Sequence, residues 1–400
     1  MMRTEREDGK LRIRLEGRID SENAERTLAE IRQALAENPG CEPVFDAGEL
    51  TYLSSAGLRA LLSIARNLGR KPAVVNVAPD VYEILEMTGF TELLDVKKKA
   101  REIRLDGCPV IARGAFGTVY RLDPDTIVKV YDPAYPTDLI RQEQNHARQA
   151  FLRGIPTAIS YDIVKVGESS GVVFEMIKAA NFNDLIRENP DRTEELIRRY
   201  AELILQIHAV EMAPGVLPEA KANYLKYLNE LRDILPEDVH ARVRELIEKM
   251  PEDLHVVHGD LHVRNVMESA DGPMLIDMDT LSTGDPVFDL AGLYVSYVLF
   301  DERDPQDSVD FFGCSAEVSR AIWEKTAAVY FDGVPEENRR EAEKRIRLAA
   351  NLRFLYFIAV MKIGRPELEQ IRTEDAVPRI RELAGQTDAL AIRDLIVKSE

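Results

Sequence analysis

Apolar and polar positions follow two different periods in the first hundred residues of the chain. Alternation with a period of two predicts strands, whereas recurrence at three- and four-residue intervals predicts helices. The predicted strands are Leu11–Leu15, Pro43–Asp46, Pro72–Val77 and a last one near Leu93, and the predicted helices begin at Ser21 and Ser54 and cover Val81–Met87. The pattern therefore predicts an α/β unit of about one hundred residues.

The rest of the chain changes from a short strand-rich stretch to a long helical one. Thr126–Val130 is an apolar run suited to a buried strand. Apolar residues then recur at helical intervals in five segments, Glu194–Val210, Leu225–Leu235, Val239–Met250, Ser319–Tyr330 and Glu341–Met361. The C-terminal part is therefore predicted to be mainly helical.

Composition and charge narrow the classes of function. The chain has 400 residues, of which 45% are hydrophobic and 30% are charged, so that two cores can be buried. A net charge of −18 opposes binding to nucleic acid or to an anionic membrane, and the short basic run Lys97–Arg101 is expected to lie in a linker between domains.

The expected location is the cytoplasm. The first eight residues lack the apolar segment of a signal peptide, and the longest apolar runs are too short to span a bilayer. Three scattered cysteines without metal-ligand spacing suit a reducing compartment.

The segment His258-Gly-Asp-Leu-His-Val-Arg-Asn265, followed by Ile276-Asp-Met-Asp279, carries the strongest chemical signal. ATP brings its charge with Mg²⁺, so a phosphoryl-transfer site needs oxygen ligands for the metal and a carboxylate that accepts a hydroxyl proton. Asp260, Asn265 and Asp277 have these side chains in the order found in kinases. Taken singly, the aspartates could also be turn or capping residues, and His258 and His262 could be structural.

A phosphate loop and a lysine precede this segment. Ala112-Arg-Gly-Ala-Phe-Gly-Thr-Val119 contains the glycines Gly114 and Gly117 of a kinase-type loop, and Lys129 lies in the apolar run that follows. Because the loop, the lysine, the Asp-x4-Asn unit and the Ile-Asp pair occur in the required order, they together predict a phosphotransferase fold.

Residues 105–400 resemble the aminoglycoside phosphotransferase and choline kinase branch of the kinase-like superfamily, which also has a Gly-Asp-Pro-x-x-Asp-Leu-Ala element, present here as Gly284–Ala291. The resemblance implies an α+β bilobal fold with a small β-rich N-lobe and a helical C-lobe. It also implies Asp260 as general base and Asn265 and Asp277 as Mg²⁺ ligands. The implied site for ATP or GTP consists of the loop glycines, the lysine with its ion-pair partner, and the adenine-binding hinge: Gly114, Gly117, Lys129, Glu143, Glu175 and Ile177. Asp285 and Asp289 are expected to brace the loop.

Residues 1–97 resemble the STAS domain of bacterial anti-sigma-factor antagonists. The similar segments are Leu15-Glu-Gly-Arg-Ile-Asp20 and Tyr52-Leu-Ser-Ser-Ala-Gly-Leu58. The resemblance implies Ser55 as a phosphoacceptor that switches partner binding, although Ser54 and Ser55 could equally well only cap a helix. Residues 98–104 would form the linker between the two domains.

Three hypotheses for function follow. The first is a kinase of a small hydroxylated molecule, with the STAS domain regulating it or binding a protein partner. The second is a kinase that phosphorylates Ser55 or a partner's serine, and the third is an interaction protein that only senses nucleotide. Only six residues separate Asp277 from Gly284, which is too short for the activation segment of protein kinases and favours the first. The acidic segment Asp301–Asp310 is expected to be a solvated loop, with a site for a cationic acceptor as the alternative.

Overall fold

The computed structural model describes residues 3–7, 9–114 and 116–396. The chain forms two compact units, Met1–Arg104 and Leu105–Glu400. The finer division, with domains at 1–97 and 105–400 and a linker at 98–104, stays a prediction.

The first unit is a five-stranded sheet with three helices. Its strands are β1 (Thr4–Glu7), β2 (Lys10–Ile19), β3 (Glu42–Leu53), β4 (Ala73–Val77) and β5 (Asp95–Lys98), and its helices are α1 (Ala24–Glu37), α2 (Ser55–Leu68) and α3 (Pro79–Met87). The strands lie in chain order, with β1 antiparallel to β2 and the other neighbours parallel. Leu11, Ile13 and Leu15 point into the core, as the alternating pattern predicted.

Two boundaries in this unit differ from the prediction. Helix α1 begins at Ala24, after Asn23, and not at Ser21. The reason is a turn before the helix, in which Asn23 Oδ1 accepts a hydrogen bond from Asp20 N at 3.0 Å. The first residues of the basic run that was expected in a linker, Lys97 and Lys98, belong to β5. Helix α2 does begin as predicted, since Ser54 Oγ accepts from Gly57 N at 3.3 Å.

A strand-rich region opens the second unit. A two-residue strand, β6 (Arg101–Glu102), comes before it, and its own strands are β7 (Val110–Arg113), β8 (Gly117–Arg121), β9 (Thr126–Tyr131), β10 (Ser160–Val166) and β11 (Ser169–Glu175). They lie antiparallel in the order β10-β11-β9-β8-β7. Helix α4 (Thr137–Leu152) packs on this sheet through Ile140, which contacts Tyr131 and Val172 in a small core.

The remainder of the second unit is mainly helical. Its helices are α5 (Phe182–Glu188), α6 (Thr193–His208), α7 (Ala220–Glu230), α8 (Glu237–Glu248), α9 (Val287–Tyr294), α10 (Gln306–Phe312), α11 (Ala316–Tyr330), α12 (Glu336–Ala359) and α13 (Glu369–Gly385). Short strands β12 (Val256–Val257) and β15 (Ser282–Thr283) pair with each other, as do β13 (Val266–Ser269) and β14 (Gly272–Leu275). One large apolar core, from Ala147 to Ile392, holds these elements together.

The predicted helical segments correspond to α6, α7, α8, α11 and α12. The largest difference is at α7, which ends at Glu230, whereas helical periodicity extends to Leu235. Leu231 and Leu235 remain buried in the turn that follows, and Pro236 stands at the start of α8. The apolar spacing in the sequence extends beyond the end of α7 because residues of the following turn also pack on the core.

None of the helices within residues 3–7, 9–114 and 116–396 combines the length and the apolarity needed to cross a bilayer.

Candidate active site

Asp260 lies in a loop between β12 and a short 3-10 turn, Val263–Asn265. Asn265 Nδ2 donates to the Asp260 carbonyl at 3.0 Å and approaches its Oδ2 at 3.4 Å, which leaves the Asn265 side-chain oxygen for another partner. His262 Nε2 lies 3.5 Å from Asp260 Oδ2. The Asp260 side chain keeps 45% of its exposure, so it is open to a substrate.

The buried carboxylate of Asp289 braces this loop, as the sequence suggested. It accepts hydrogen bonds from His258 N at 2.7 Å and from Gly259 N at 2.6 Å, and His208 Nε2 lies 3.0 Å away. Gly259 has a φ of +85°, and a Cβ there would lie 2.7 Å from the Thr280 carbonyl oxygen, so glycine is required. Asp285 also braces the chain, since it accepts from Ile392 N and Arg393 N.

Arg353, on helix α12, is a site residue that sequence reasoning missed. Its Nη2 donates to the Gly259 carbonyl at 2.6 Å and lies 3.9 Å from Asp260 Oδ1, and its side chain is only 9% exposed. The absence of a side chain at Gly292 makes room for it, because a Cβ there would be 3.1 Å from Arg353 Nη1. The only signal in the sequence was an arginine inside an otherwise apolar helical run.

These neighbours control the charge of Asp260. Burial alone would raise the pKa of Asp260, but hydrogen bonding with His262 and the charge of Arg353 outweigh it and hold the pKa below its usual range. Solvent at the half-exposed carboxylate weakens this effect without reversing its direction. The Asp260 carboxylate is therefore ionised at neutral pH.

Lys129 joins the strand-rich region to the loop that carries Asp277. Its Nζ lies 2.8 Å from Glu143 Oε1 and 2.7 Å from Asp277 Oδ1, so the predicted partner on α4 and a predicted metal ligand are brought to one lysine. Tyr131 OH donates to the other oxygen of Glu143 at 2.6 Å. Burial would lower the pKa of Lys129, but the charges of Asp277 and Glu143 raise it well above its usual range.

A group of three carboxylates lies at this point. Oxygen atoms of Glu143, Asp277 and Asp279 lie within 4.8 Å of one another. Asp277 has a φ of +64°, which aspartate tolerates better than most residues. Burial and the charge of Asp277 raise the pKa of Asp279 above its usual range. Asp279 had no predicted role, although its place two residues after Asp277 was visible in the sequence.

The glycine-rich turn is shaped by Gly117. A Cβ there would lie 2.2 Å from the Val130 carbonyl oxygen, so a side chain would separate β8 from β9. Gly114 N donates to the Gly117 carbonyl at 2.9 Å, and this amide is therefore engaged within the turn. Ala115, between them, lies outside the described residues.

The segment after β11 carries the predicted hinge. Met176 N donates to the Asp125 carbonyl at 2.8 Å, and Glu175 Oε2 accepts from Ile159 N at 3.2 Å. Within the described part of the chain, Ile177 N donates no hydrogen bond. A backbone donor is thus open at the position that was predicted to face adenine.

Ser55 belongs to the first unit and is considered there alone. It is the first residue of α2 and is exposed, while Ser54 is the capping residue. The hydroxyl predicted as a phosphoacceptor is therefore accessible and is not consumed by the helix cap.

The acidic segment 301–310 is not the solvated loop that was expected. Arg365 contacts Asp304, Asp307 and Asp310, with Nη2 to Asp310 Oδ2 at 2.7 Å. Further ion pairs join Arg372 to Asp307, and Arg379 to Glu302, and Asp301 accepts from Ser308. The carboxylates that could have received a cationic acceptor are therefore already paired.

Comparison with known families decides the identity of the second unit. A model of the phosphotransferase enzyme family matches residues 108–315, which is more than half of the chain. The chain belongs to this family. A STAS domain model matches residues 1–103, so the phosphotransferase is preceded by a STAS domain. The predicted family resemblance and the predicted two-domain fold class are both confirmed.

Two curated relatives match different parts of this phosphotransferase. BtrV of Bordetella bronchiseptica, named as an anti-sigma factor antagonist, is 36% identical over 92 residues, which are 22% of this chain and 78% of BtrV. Viomycin phosphotransferase of Streptomyces vinaceus is 33% identical over 143 residues, which are 32% of this chain and 50% of that enzyme. The chain thus spans only half the length of the second relative.

Two solved structures are similar to the phosphotransferase. A choline/ethanolamine kinase family protein from Mesorhizobium loti has a TM-score of 0.45 at 17% identity, over 69% of this chain and 87% of that one. The ADP-bound aminoglycoside phosphotransferase APH(2'')-Ib has a TM-score of 0.46 at 14% identity, over 76% of this chain and 98% of that one.

Proposed function

We propose that the second unit transfers the terminal phosphate of ATP, or of GTP, to a hydroxyl of a small molecule in the cytoplasm, and that the STAS domain regulates it or binds a protein partner. The observation that carries the proposal is the position of Lys129, whose ammonium group contacts both Glu143 and Asp277. One cation thereby joins the glycine-rich sheet to the acidic loop, as a bound nucleotide's phosphates would require.

The side chains present suit Mg²⁺. Carboxylate and amide oxygens are the ligands that this ion prefers, and Asp277 and Asn265 offer them. Asp279 lies close enough to Asp277 to contribute as well. When bound, the metal would neutralise and orient the terminal phosphates.

Asp260 would act on the acceptor. As an ionised carboxylate it would orient the acceptor hydroxyl and accept its proton, while the hydroxyl oxygen forms a bond to the terminal phosphorus and the bond from phosphorus to the bridging oxygen breaks, releasing the nucleoside diphosphate. Lys129 and loop amides around Gly114 and Gly117 would hold the phosphates. Glu175 O and Ile177 N would contact adenine.

The segment after Asp277 favours a small acceptor over a protein. Residues 278–280 form one 3-10 turn, and Ser282–Thr283 then pairs with β12. A protein kinase binds its peptide on a longer segment at this point. The similarity to viomycin phosphotransferase, whose name states a small-molecule acceptor, supports the same choice.

The test is ADP release from purified full-length chain with Mg²⁺, ATP and a panel of hydroxylated small molecules. We expect release to depend on an acceptor and to be lost in Asp260→Ala, with nucleotide binding nearly unchanged. Asp271→Ala, at an exposed hairpin turn, is the matched control and should behave as wild type. Acceptor-dependent ADP release that persisted in Asp260→Ala would contradict the assignment of Asp260 as the base.

A signalling role is the second candidate, because Ser55 is exposed at the start of α2 and BtrV is a relative of this unit. In this alternative the kinase unit phosphorylates Ser55 or a partner's serine, or only senses nucleotide. Intact-protein mass after incubation with Mg²⁺ and ATP tests it. A gain of one phosphate that disappears in both Ser55→Ala and Asp260→Ala would replace the small-molecule proposal by a self-phosphorylating switch.

A further inference from the structure

An exposed arginine and an exposed aromatic ring lie together on the catalytic side of the second unit. Arg264 Nη1 donates to the Phe311 carbonyl at 3.0 Å, and its guanidinium carbon lies 4.7 Å from the centre of the Phe311 ring. Phe311 is 51% exposed, so one of its surfaces is available to a ligand. This Arg264–Phe311 pair is built from the catalytic loop and from helix α10, and so far it has no role.

The pair is close to the proposed base. The ring of His262 packs edge-on to Phe311 with centroids 5.6 Å apart, and His262 Nε2 lies 3.5 Å from Asp260 Oδ2. Two contacts therefore connect Phe311 to the Asp260 carboxylate.

Charge distinguishes this surface from the rest of an acidic chain. The carboxylates of segment 301–310, next to it in sequence, are occupied by Arg365, Arg372 and Arg379. Within the described residues, Arg264 itself has no carboxylate partner. The surface near Asp260 thus presents a cation that has no carboxylate partner among the described residues. A site for polycations would instead need carboxylates that are free of cationic partners.

We propose that the Arg264–Phe311 pair is an acceptor subsite that selects a planar hydroxylated molecule with a negatively charged group, a carboxylate or a phosphate, over a polycation. A guanidinium recognises either anion through charge-assisted hydrogen bonds, and an aromatic face binds a flat ring. The same arginine repels a polyamine, so an unfavourable contact with cations also contributes to the selectivity. This inference rests on the proposed small-molecule transfer, because it names the class of acceptor.

Benzyl alcohols whose ring substituents differ in charge test the subsite. They are 4-(hydroxymethyl)benzoate, 4-(hydroxymethyl)phenyl phosphate, neutral benzyl alcohol and 4-(hydroxymethyl)benzylamine, with kanamycin as a polycation. Their binding to the full-length chain is measured by saturation-transfer NMR and calorimetry, and comparison of the first two separates carboxylate from phosphate recognition. We expect an anion to bind at least about tenfold more tightly than the amine.

Variants assign the preference to the pair. Arg264→Glu should reverse it in favour of the amine, and Phe311→Ala should weaken all ring-containing probes. Arg320→Glu, which changes another exposed arginine without an ion pair in the described residues, should leave the preference intact. The subsite is overturned if the amine or kanamycin binds as tightly as both anions, or if the preference for an anion survives in Arg264→Glu.

Binding and transfer fail separately in this design. If the anion preference is present and depends on Arg264, but ADP release is the same in wild type and Asp260→Ala, the proposed transfer is wrong and the subsite stands. If ADP release depends on Asp260 but only kanamycin stimulates it, transfer stands and the subsite is wrong.

Discussion

Single charged groups in this phosphotransferase depend on partners from distant parts of the sequence. Lys129 is the clearest example, because it neutralises carboxylates from α4 and from the loop at Asp277. Without it, Glu143, Asp277 and Asp279 would lie within 4.8 Å of one another with no cation between them. A lysine in this position therefore stabilises the site before any nucleotide arrives.

Replacing Lys129 by methionine should weaken the use of nucleotide. We expect kcat/KM for nucleotide to fall by about 10²–10³-fold, because the donor that we propose for the phosphates is lost. Steady-state ADP release and nucleotide titration measure this. Lys178→Met is the control, since Lys178 is an exposed lysine near the hinge that, among the described residues, forms an ion pair with Asp125 alone. An equal loss in both variants would contradict a specific role for Lys129.

Asp46, in the STAS domain, predicts how stability depends on pH. Burial would raise its pKa, but hydrogen bonds from Asn76, Gly48 and Arg12 outweigh this and lower it below 3.8. The folded state therefore releases this proton more readily than the unfolded state, and the stabilisation is fully present above 3.8 and is lost as pH falls through the folded pKa.

The melting temperature of wild type and Asp46→Asn, measured from neutral to acidic pH, checks this. We expect Asp46→Asn to melt lower at neutral pH, with the difference shrinking below pH 3.8. A difference that stayed constant across the whole range would mean that the Asp46 charge contributes nothing.

At the scale of elements, local sequence predicted more than long-range contacts. Lys129 and Asp260 could be proposed from the sequence because strand pattern and motif order are local signals, and α2 begins where Ser54 can cap it. The start of α1 was wrong because two polar side chains formed a turn instead of a cap. Arg353 was missed because its partner, Gly259, is remote in sequence and close only after helix packing. The same holds for the arginines that pair with the acidic segment.

The loop that carries Asp260 should depend strongly on Asp289 in α9 for its stability. Asp289→Ala would leave two loop amides and His208 without their buried acceptor, at a cost of about 3 kcal/mol. That corresponds to a fall in melting temperature of roughly 5 °C for a unit of about 300 residues. Calorimetry and ADP release measure both effects, with exposed Asp271→Ala as control. Unchanged melting together with lost activity would indicate a direct chemical role for Asp289 instead.

At the scale of the whole molecule, each unit has its own apolar core. The core of the first unit consists of buried residues between Leu11 and Leu94, and the large core of the second lies between Ala147 and Ile392. A unit with a complete core can unfold as one cooperative transition. The chain should therefore behave as two folding units.

Calorimetry of the full-length chain should give two transitions that mutations shift one at a time. Gly57→Ala places a Cβ 2.8 Å from the Ile19 carbonyl oxygen and should destabilise the first unit by about 1–3 kcal/mol. Asp289→Ala should shift only the other transition. A single transition that both variants shift together would show that the units unfold as one.

The close approach of Arg353 to Gly292 also restricts how this protein can evolve. A methyl group at 292 would lie 3.1 Å from Arg353 Nη1, so alanine there would require the guanidinium that donates to the Gly259 carbonyl to shift by a few tenths of an ångström. A shorter residue at 353 would leave a space that the methyl group of alanine could fill without any shift. The two positions should therefore be coupled: the cost of alanine at 292 should depend on which residue occupies position 353.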